Sequence, residues 1–149
     1  MGLSKQYIDK NECPQAVDFH CLSEKIKKAC PDVVFCLVMG SARDGVVRAH
    51  SDLDLAVYLS KPQSLRMRSK ISGIVHEVCK GVRCDLGILN NTEPVYRYEA
   101  LKGRLLFTRD DEIWLHFYSL TSREYESQIA DYKRQLSYRI EAAALRRSI

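Results

Sequence analysis

The hydrophobic pattern of the chain divides into short continuous apolar runs and longer stretches with helical spacing. Val17, Leu22, Ile26 and Ala29 recur at that spacing and Pro14 suits a first turn, predicting a helix from Cys13 to Ala29. Pro31-Asp32 breaks it. Val33 to Met39 follows as an uninterrupted apolar run, the signature of a strand covered on both faces. Gly40 to Ser51 is turn-rich, with a second glycine at Gly45. Asp52 to Leu59 then alternates, with Asp52, Asp54, Ala56 and Tyr58 on one side and Leu53, Leu55, Val57 and Leu59 on the other. Strand side chains repeat every second residue, so Asp52 and Asp54 share a face.

Ser60-Lys61-Pro62 ends that strand. Ser64 to Cys79 reads as a helix with an apolar stripe of Leu65, Ile71, Ile74, Val75 and Val78. A third strand, Val82 to Leu89, places Asp85 in an apolar context. Asn90 to Pro94 is a turn leading into a short helix, Pro94 to Leu101, which Gly103 closes. Arg104 to Thr108 predicts a fourth strand. Asp110-Asp111 caps a last helix running from Glu112 to about Leu145 without glycine or proline. This order predicts an α/β (α+β) fold, a small mixed sheet flanked by helices. The 149 residues are expected to form one domain, with a core over residues 13–108 and a helical extension over 111–147.

Composition changes this picture little. At 46% hydrophobic and 28% charged the chain is an ordinary globular one. Its net charge of +4 is spread along the sequence with no basic arm, which argues against a nucleic-acid partner. Cys13, Cys21, Cys30, Cys36, Cys79 and Cys84 contain no C-x-x-C and no Cys/His knuckle, so they predict reduced thiols and no structural zinc. Residues 1–15 have no apolar core, and position six lacks the Ser or Thr of a myristoylation motif. No apolar run reaches the length of a membrane span. A cytoplasmic protein is expected.

The candidate chemistry lies in Gly40-Ser41, a ten-residue spacer, Asp52-Leu53-Asp54 and the distant Asp85. Two like charges at i and i+2 on one strand face repel each other, and a third carboxylate adds cost unless a cation compensates. Hard carboxylate oxygens suit Mg²⁺ or Mn²⁺. Gly40 lets the backbone approach a phosphate, the amides and the Ser41 hydroxyl donate to its oxygens, and Arg43 is near enough to add charge. The four histidines share no spacing, Ser41 lies outside any G-x-S-x-G, and the G-x-x-x-x-G-K-[ST] loop is absent. Serine-hydrolase and P-loop chemistry are therefore disfavoured.

The stretch GSARDGVVRAHSDLDLAVYL, with Asp85 in VRCDLGIL downstream, resembles the nucleotidyltransferase superfamily that includes DNA polymerase β. In size, layout and the segment PVYRYEALKGRLLF the chain is similar to the minimal nucleotidyltransferases of the MntA-type antitoxin group. The resemblance covers residues 33–108, and the last helix matches as a long helix in the same place. It implies the minimal nucleotidyltransferase fold. It implies further that Asp52, Asp54 and Asp85 bind two Mg²⁺ ions, with Mn²⁺ as an alternative. Asp85 would help to activate the attacking hydroxyl, and Gly40 and Ser41 would hold the β/γ-phosphates of ATP. Asp44, an acid in the phosphate loop, departs from the pattern.

By that resemblance the protein is an antitoxin adenylyltransferase, transferring AMP to a tyrosine of a HEPN RNase toxin and releasing pyrophosphate. Two other readings compete: transfer to a small-molecule hydroxyl such as that of an aminoglycoside, and a non-catalytic toxin-binding antitoxin. The chain is too short for the extra helical domain of drug-modifying relatives, and its intact carboxylates disfavour the binding module. The last helix bears on the partner. Tyr118, Tyr125 and Tyr132 are seven apart, as are Ile129, Leu136 and Ala143. At about 30 residues it spans about 45 Å, so its second half is expected to project and offer a tyrosine-rich stripe to a protein. Arg134, Arg139, Arg146 and Arg147 are expected to form a solvated basic face beside it.

Overall fold

The computed structural model describes residues 13–147. The N-terminal features that argue against a signal or lipid anchor lie largely outside that range. In chain order the elements are β1 (Gln15–Ala16), α1 (Phe19–Ala29), β2 (Val33–Met39), a 3-10 turn (Gly40–Asp44), β3 (Val46–Val47), β4 (Leu53–Leu59), α2 (Leu65–Val78), β5 (Cys84–Ile88), α3 (Pro94–Leu101), β6 (Arg104–Thr108) and α4 (Asp111–Arg147). Four strands form the main sheet in the order β5-β4-β2-β6, and β1 pairs with β3 in a separate two-stranded ribbon. The β2–β4 and β2–β6 pairs are antiparallel, while β4–β5 is parallel because α2 returns the chain between them. The expected mixed sheet flanked by helices, with a long last helix, is the one observed.

Two layers of helix cover the sheet. On one face α1 and α2 supply Leu22, Ile26, Ile71 and Val75 to a core that includes Leu53, Leu55, Val57 and Leu59. On the other, α3 and α4 supply Ala100 and Phe117 against Val34, Phe35, Leu37, Ala56 and Leu89. Phe35 is the centre of this second core, with ring centroids 4.9 Å from Trp114, 5.1 Å from Phe117 and 5.1 Å from Tyr58. Such aromatic pairs add stabilisation beyond their buried area. Coverage on both faces accounts for the unbroken apolar run of β2.

Capping side chains start three of the helices. Asp18, Ser64 and Asp110 accept from the backbone amides of Cys21, Met67 and Ile113 at 3.0–3.1 Å. The Asp18 cap corrects one expectation, since the first helix begins at Phe19 and not near Pro14. Residues 15–16 instead pair with Val46–Val47, and the Val17 amide donates to the Gly45 carbonyl at 2.8 Å. Val17 is still buried; it contributes to the core from an extended segment. Two arginines tie loops to the sheet. Arg109 donates to the carbonyls of Lys27, Cys30 and Val33, and Arg97 donates to those of Leu89 and Asn90 while lying over the Phe117 ring.

The last helix has two halves. Phe117 and Thr121 are buried, and the Tyr125 ring stacks on Tyr98 at 3.7 Å. From Ala130 to Arg147 every residue is exposed, so about 27 Å of helix stands clear of the sheet. Leu136, Tyr132 and Ile140 are 42%, 61% and 62% exposed, as the projecting-helix expectation required. Among the described residues no helix is long and apolar enough to cross a membrane, and all six cysteines are free thiols. Phe35→Ala is expected to lower the urea-unfolding free energy by about 3–5 kcal/mol, with an unchanged m-value checking that the fold is retained.

Candidate active site

A single rung across three strands of the sheet assembles the site. In the β2–β4 pair Asp54 lies opposite Met39, and in the β4–β5 pair it lies abreast of Asp85. Adjacent strands are about 4.8 Å apart, so the two carboxylates are immediate neighbours on the face that α3 and α4 cover. Both lie at the end of that face, beyond Ala56 and Gly87. Asp52 sits just before β4 and is exposed. Its charge still reaches Asp54. Burial, then Asp85, then Asp52 together raise the Asp54 carboxyl above its ordinary value.

Gly40 is built into this arrangement. Its φ of +67° is a left-handed conformation that favours glycine, and a Cβ there would stand 2.8 Å from Asp54 Oδ2. The glycine therefore serves the carboxylate as well as the turn. Gly40 opens the 3-10 turn that carries Ser41 and Arg43. A cavity of about 280 Å³ is lined by Met39, Gly40, Arg43, Asp54, Asp85, Tyr96, Glu99, Lys102 and Gly103. Of the residues expected from sequence, Gly40, Arg43, Asp54 and Asp85 meet in this cavity. Ser41 and Asp52 are exposed beside it and are not part of its wall.

Helix α3 supplies the rest of the wall. Tyr96 reaches back over β5, where a Cβ on Gly87 would stand 1.8 Å from its hydroxyl oxygen. Only a glycine at that rung admits the ring. Burial, then Asp85 and Asp54, push the Tyr96 hydroxyl above its ordinary value, which keeps it protonated as a donor beside the acids. Glu99, Lys102 and Gly103 complete the wall. The sequence signal for these positions was their helical spacing after the third strand, which carries no chemistry of its own. Cys84 lies behind the acids, its thiol pushed up to about 12 by burial and then by Asp85, Asp54 and Asp52. It is a packing residue with no nucleophilic thiolate at neutral pH.

The donor set fits a hard divalent cation. Asp54 is held half-buried beside two further carboxylates at a cost that its raised protonation records, and a cation relieves that cost. Among the described residues no group of three His, Cys, Asp or Glu side chains converges tightly enough to hold a metal unaided. Mg²⁺ is usually bound by one or two carboxylates with substrate phosphates and water completing the shell, and Asp54 with Asp85 is such a pair.

A sheet with a Gly-Ser turn at the end of one strand and paired acids on the next two defines a nucleotidyltransferase-type domain. The chain belongs to the polymerase beta nucleotidyltransferase family, whose model matches residues 21–112. Several solved structures share the fold. A mutant MntA–HpeT toxin–antitoxin structure is similar with a TM-score of 0.66 at 16% identity, over 81% of this chain and 97% of the other. A toxin–antitoxin structure with AMP-PNP gives 0.64 at 17% identity, over 81% and 97%. A Shewanella oneidensis structure of a tri-AMPylated HEPN toxin with its MNT antitoxin gives 0.58 at 17% identity, over 80% and 96%. No curated protein matches the chain.

The raised Asp54 carboxyl has a pH signature. The folded state holds this proton more tightly than the unfolded state, so stability falls as pH rises from the ordinary value of 3.8 through the raised one. Above that window the full penalty persists. Asp54→Asn is therefore expected to raise Tm at pH 7, with the gain vanishing below about pH 4. Mg²⁺ is expected to raise Tm of the native chain at pH 7, reversibly with chelator, and to leave the variant unmoved; thermal scans read both.

Proposed function

We propose that this chain is the antitoxin of a HEPN–MNT pair and an ATP-dependent adenylyltransferase that transfers AMP to a tyrosine hydroxyl of its toxin. The observation that carries this reading is the register that sets Asp54 beside Asp85 and against Gly40. Support comes from the family match and from neighbours that include a toxin–antitoxin structure with AMP-PNP and a tri-AMPylated HEPN toxin.

Asp52, Asp54 and Asp85 would hold two Mg²⁺ ions. When bound, these supply positive charge to the α-phosphate and the leaving pyrophosphate and lower the pKa of the attacking hydroxyl. Gly40 keeps the turn narrow so that phosphate can approach, while the Ser41 hydroxyl and the Arg43 guanidinium donate to phosphate oxygens. Asp85, the more exposed of the two paired acids, accepts the tyrosine proton. The tyrosine oxygen then bonds to the α-phosphorus, and the bond to the bridging oxygen breaks with its electrons leaving on pyrophosphate. The projecting half of α4 supplies the toxin-docking surface, separate from the chemistry. Tyr132, Leu136 and Ile140 are its apolar contacts.

The test is to incubate the chain with ATP, Mg²⁺ and the product of the neighbouring gene, then weigh the partner. Mass gain in units of AMP is expected, with Asp54→Asn and Asp85→Asn slowed about 100-fold or more. Tight association without any mass change would replace this reading with the non-catalytic one. Truncation after Ala130 is expected to abolish partner binding in a pull-down while leaving Tm within about 3 °C.

A further inference from the structure

Lys102 is the feature of the cavity that the motif does not explain. It caps the C-terminus of α3, and Gly103 beside it fixes where that end lies. A Cβ on Gly103 would stand 2.2 Å from the Val38 carbonyl oxygen, so only glycine lets the helix end press against β2 next to Gly40. Arg43 Nη1 donates to the Lys102 carbonyl at 3.3 Å and ties the phosphate turn to the same point. The result is a cavity in which cations and acids stand close together. Its lining carries three acids (Asp54, Asp85, Glu99) and two cations (Arg43, Lys102). Asp54 and Asp85 sit on adjacent strands with Asp54 against Gly40, and Lys102 pairs with Glu99.

Lys102 has partners within the chain. Its ammonium pairs with Glu99 Oε1 at 3.0 Å and lies 5.2 Å from the centre of the Tyr98 ring, which in turn stacks on Tyr125. The two partners are 48% and 51% exposed, and an ion pair so open to solvent is weak. A phosphate oxygen offers a stronger, charge-assisted bond. Glu99 thus holds the cation at the cavity wall without holding it firmly.

We propose that Lys102 is a binding residue for the polyphosphate end of the nucleotide and that Glu99 is the counter-ion it leaves on binding. This assignment rests on the nucleotidyltransferase reading of the site. The entering β- and γ-phosphates compete with Glu99 for the ammonium, while Arg43 holds the other side of the same end. The arrangement favours a triphosphate over a nucleoside with no phosphate tail, because only the tail reaches the Lys102 wall. The negative charge of departing pyrophosphate is met by the same pair of cations.

Calorimetric titration tests this, with inorganic tripolyphosphate, ATP and adenosine each added in the presence of Mg²⁺. Lys102→Met is expected to weaken tripolyphosphate and ATP by about tenfold or more and to leave adenosine within about twofold. Lys102→Arg is expected to restore most of the loss, and Glu99→Gln to tighten tripolyphosphate several-fold by removing the competitor. Unchanged ATP and tripolyphosphate affinity in Lys102→Met would overturn the assignment. So would equal loss of all three ligands together with a lowered Tm, or a Glu99→Gln variant that binds no tighter. Lys102-dependent tripolyphosphate binding in a chain that transfers no AMP would leave this inference standing and sink the adenylyltransferase reading. Absence of any phosphate binding in the native chain would remove both.

Discussion

The register of β4 between β2 and β5 is the constraint on which the site depends. It puts Asp54 opposite Met39 and abreast of Asp85, so the carboxylates lie side by side next to the Gly40 turn. Strand side chains alternate faces, so a slip of one residue would send Asp54 into the α1/α2 core and Leu53 or Leu55 into the site. The fold guards against that slip with apolar side chains. Leu53, Leu55, Val57 and Leu59 are all buried on the opposite face, and their burial fixes the position of two unfavourable charges. Stability supplied by one face of the strand holds an electrostatic liability on the other.

Three glycines turn that register into a cavity. Gly40 gives space to the Asp54 carboxylate, Gly87 admits the Tyr96 ring, and Gly103 lets the end of α3 reach β2. Each marks a place where two elements approach more closely than a Cβ allows. Without Gly87 and Gly103, α3 would stand further from the sheet, and Tyr96, Glu99 and Lys102 would not form a wall. The side chains opposite the acids therefore owe their placement to residues with no chemistry of their own.

The long last helix combines two roles in one continuous element. Its first turns complete the aromatic core through Trp114 and Phe117 around Phe35. Tyr125 ends the packed part by stacking on Tyr98, next to the Lys102 wall. Beyond it the helix has no sheet beneath it. A surface there can vary while the rung that carries the acids stays fixed, because few contacts connect the two. That division also separates recognition from reaction in the proposed antitoxin.

Much of this was legible in the residue pattern. A continuous apolar run identified β2, alternation identified β4 and the face of Asp54, and the lack of glycine or proline after Asp111 announced the long helix. The Gly-Ser and the three acids were visible because their types and spacing are local properties. The start of α1 differs from the pattern because Pro14 and Val17 suit a first helical turn, and only pairing with β3 pulls residues 15–16 into an extended form. The wall facing the acids was not legible, although Gly40, Arg43, Asp54 and Asp85 were. Tyr96, Glu99 and Lys102 are ordinary residues of a short helix, and Ser41 and Asp52 fall outside the cavity wall although their motif partners are in it. Sequence alone determined which strands carry the acids and which way those acids face, since alternation and burial act over a few residues. Tertiary structure decided which side chains stand opposite them, because that depends on how closely α3 approaches the sheet, a distance set by glycines far apart in the chain.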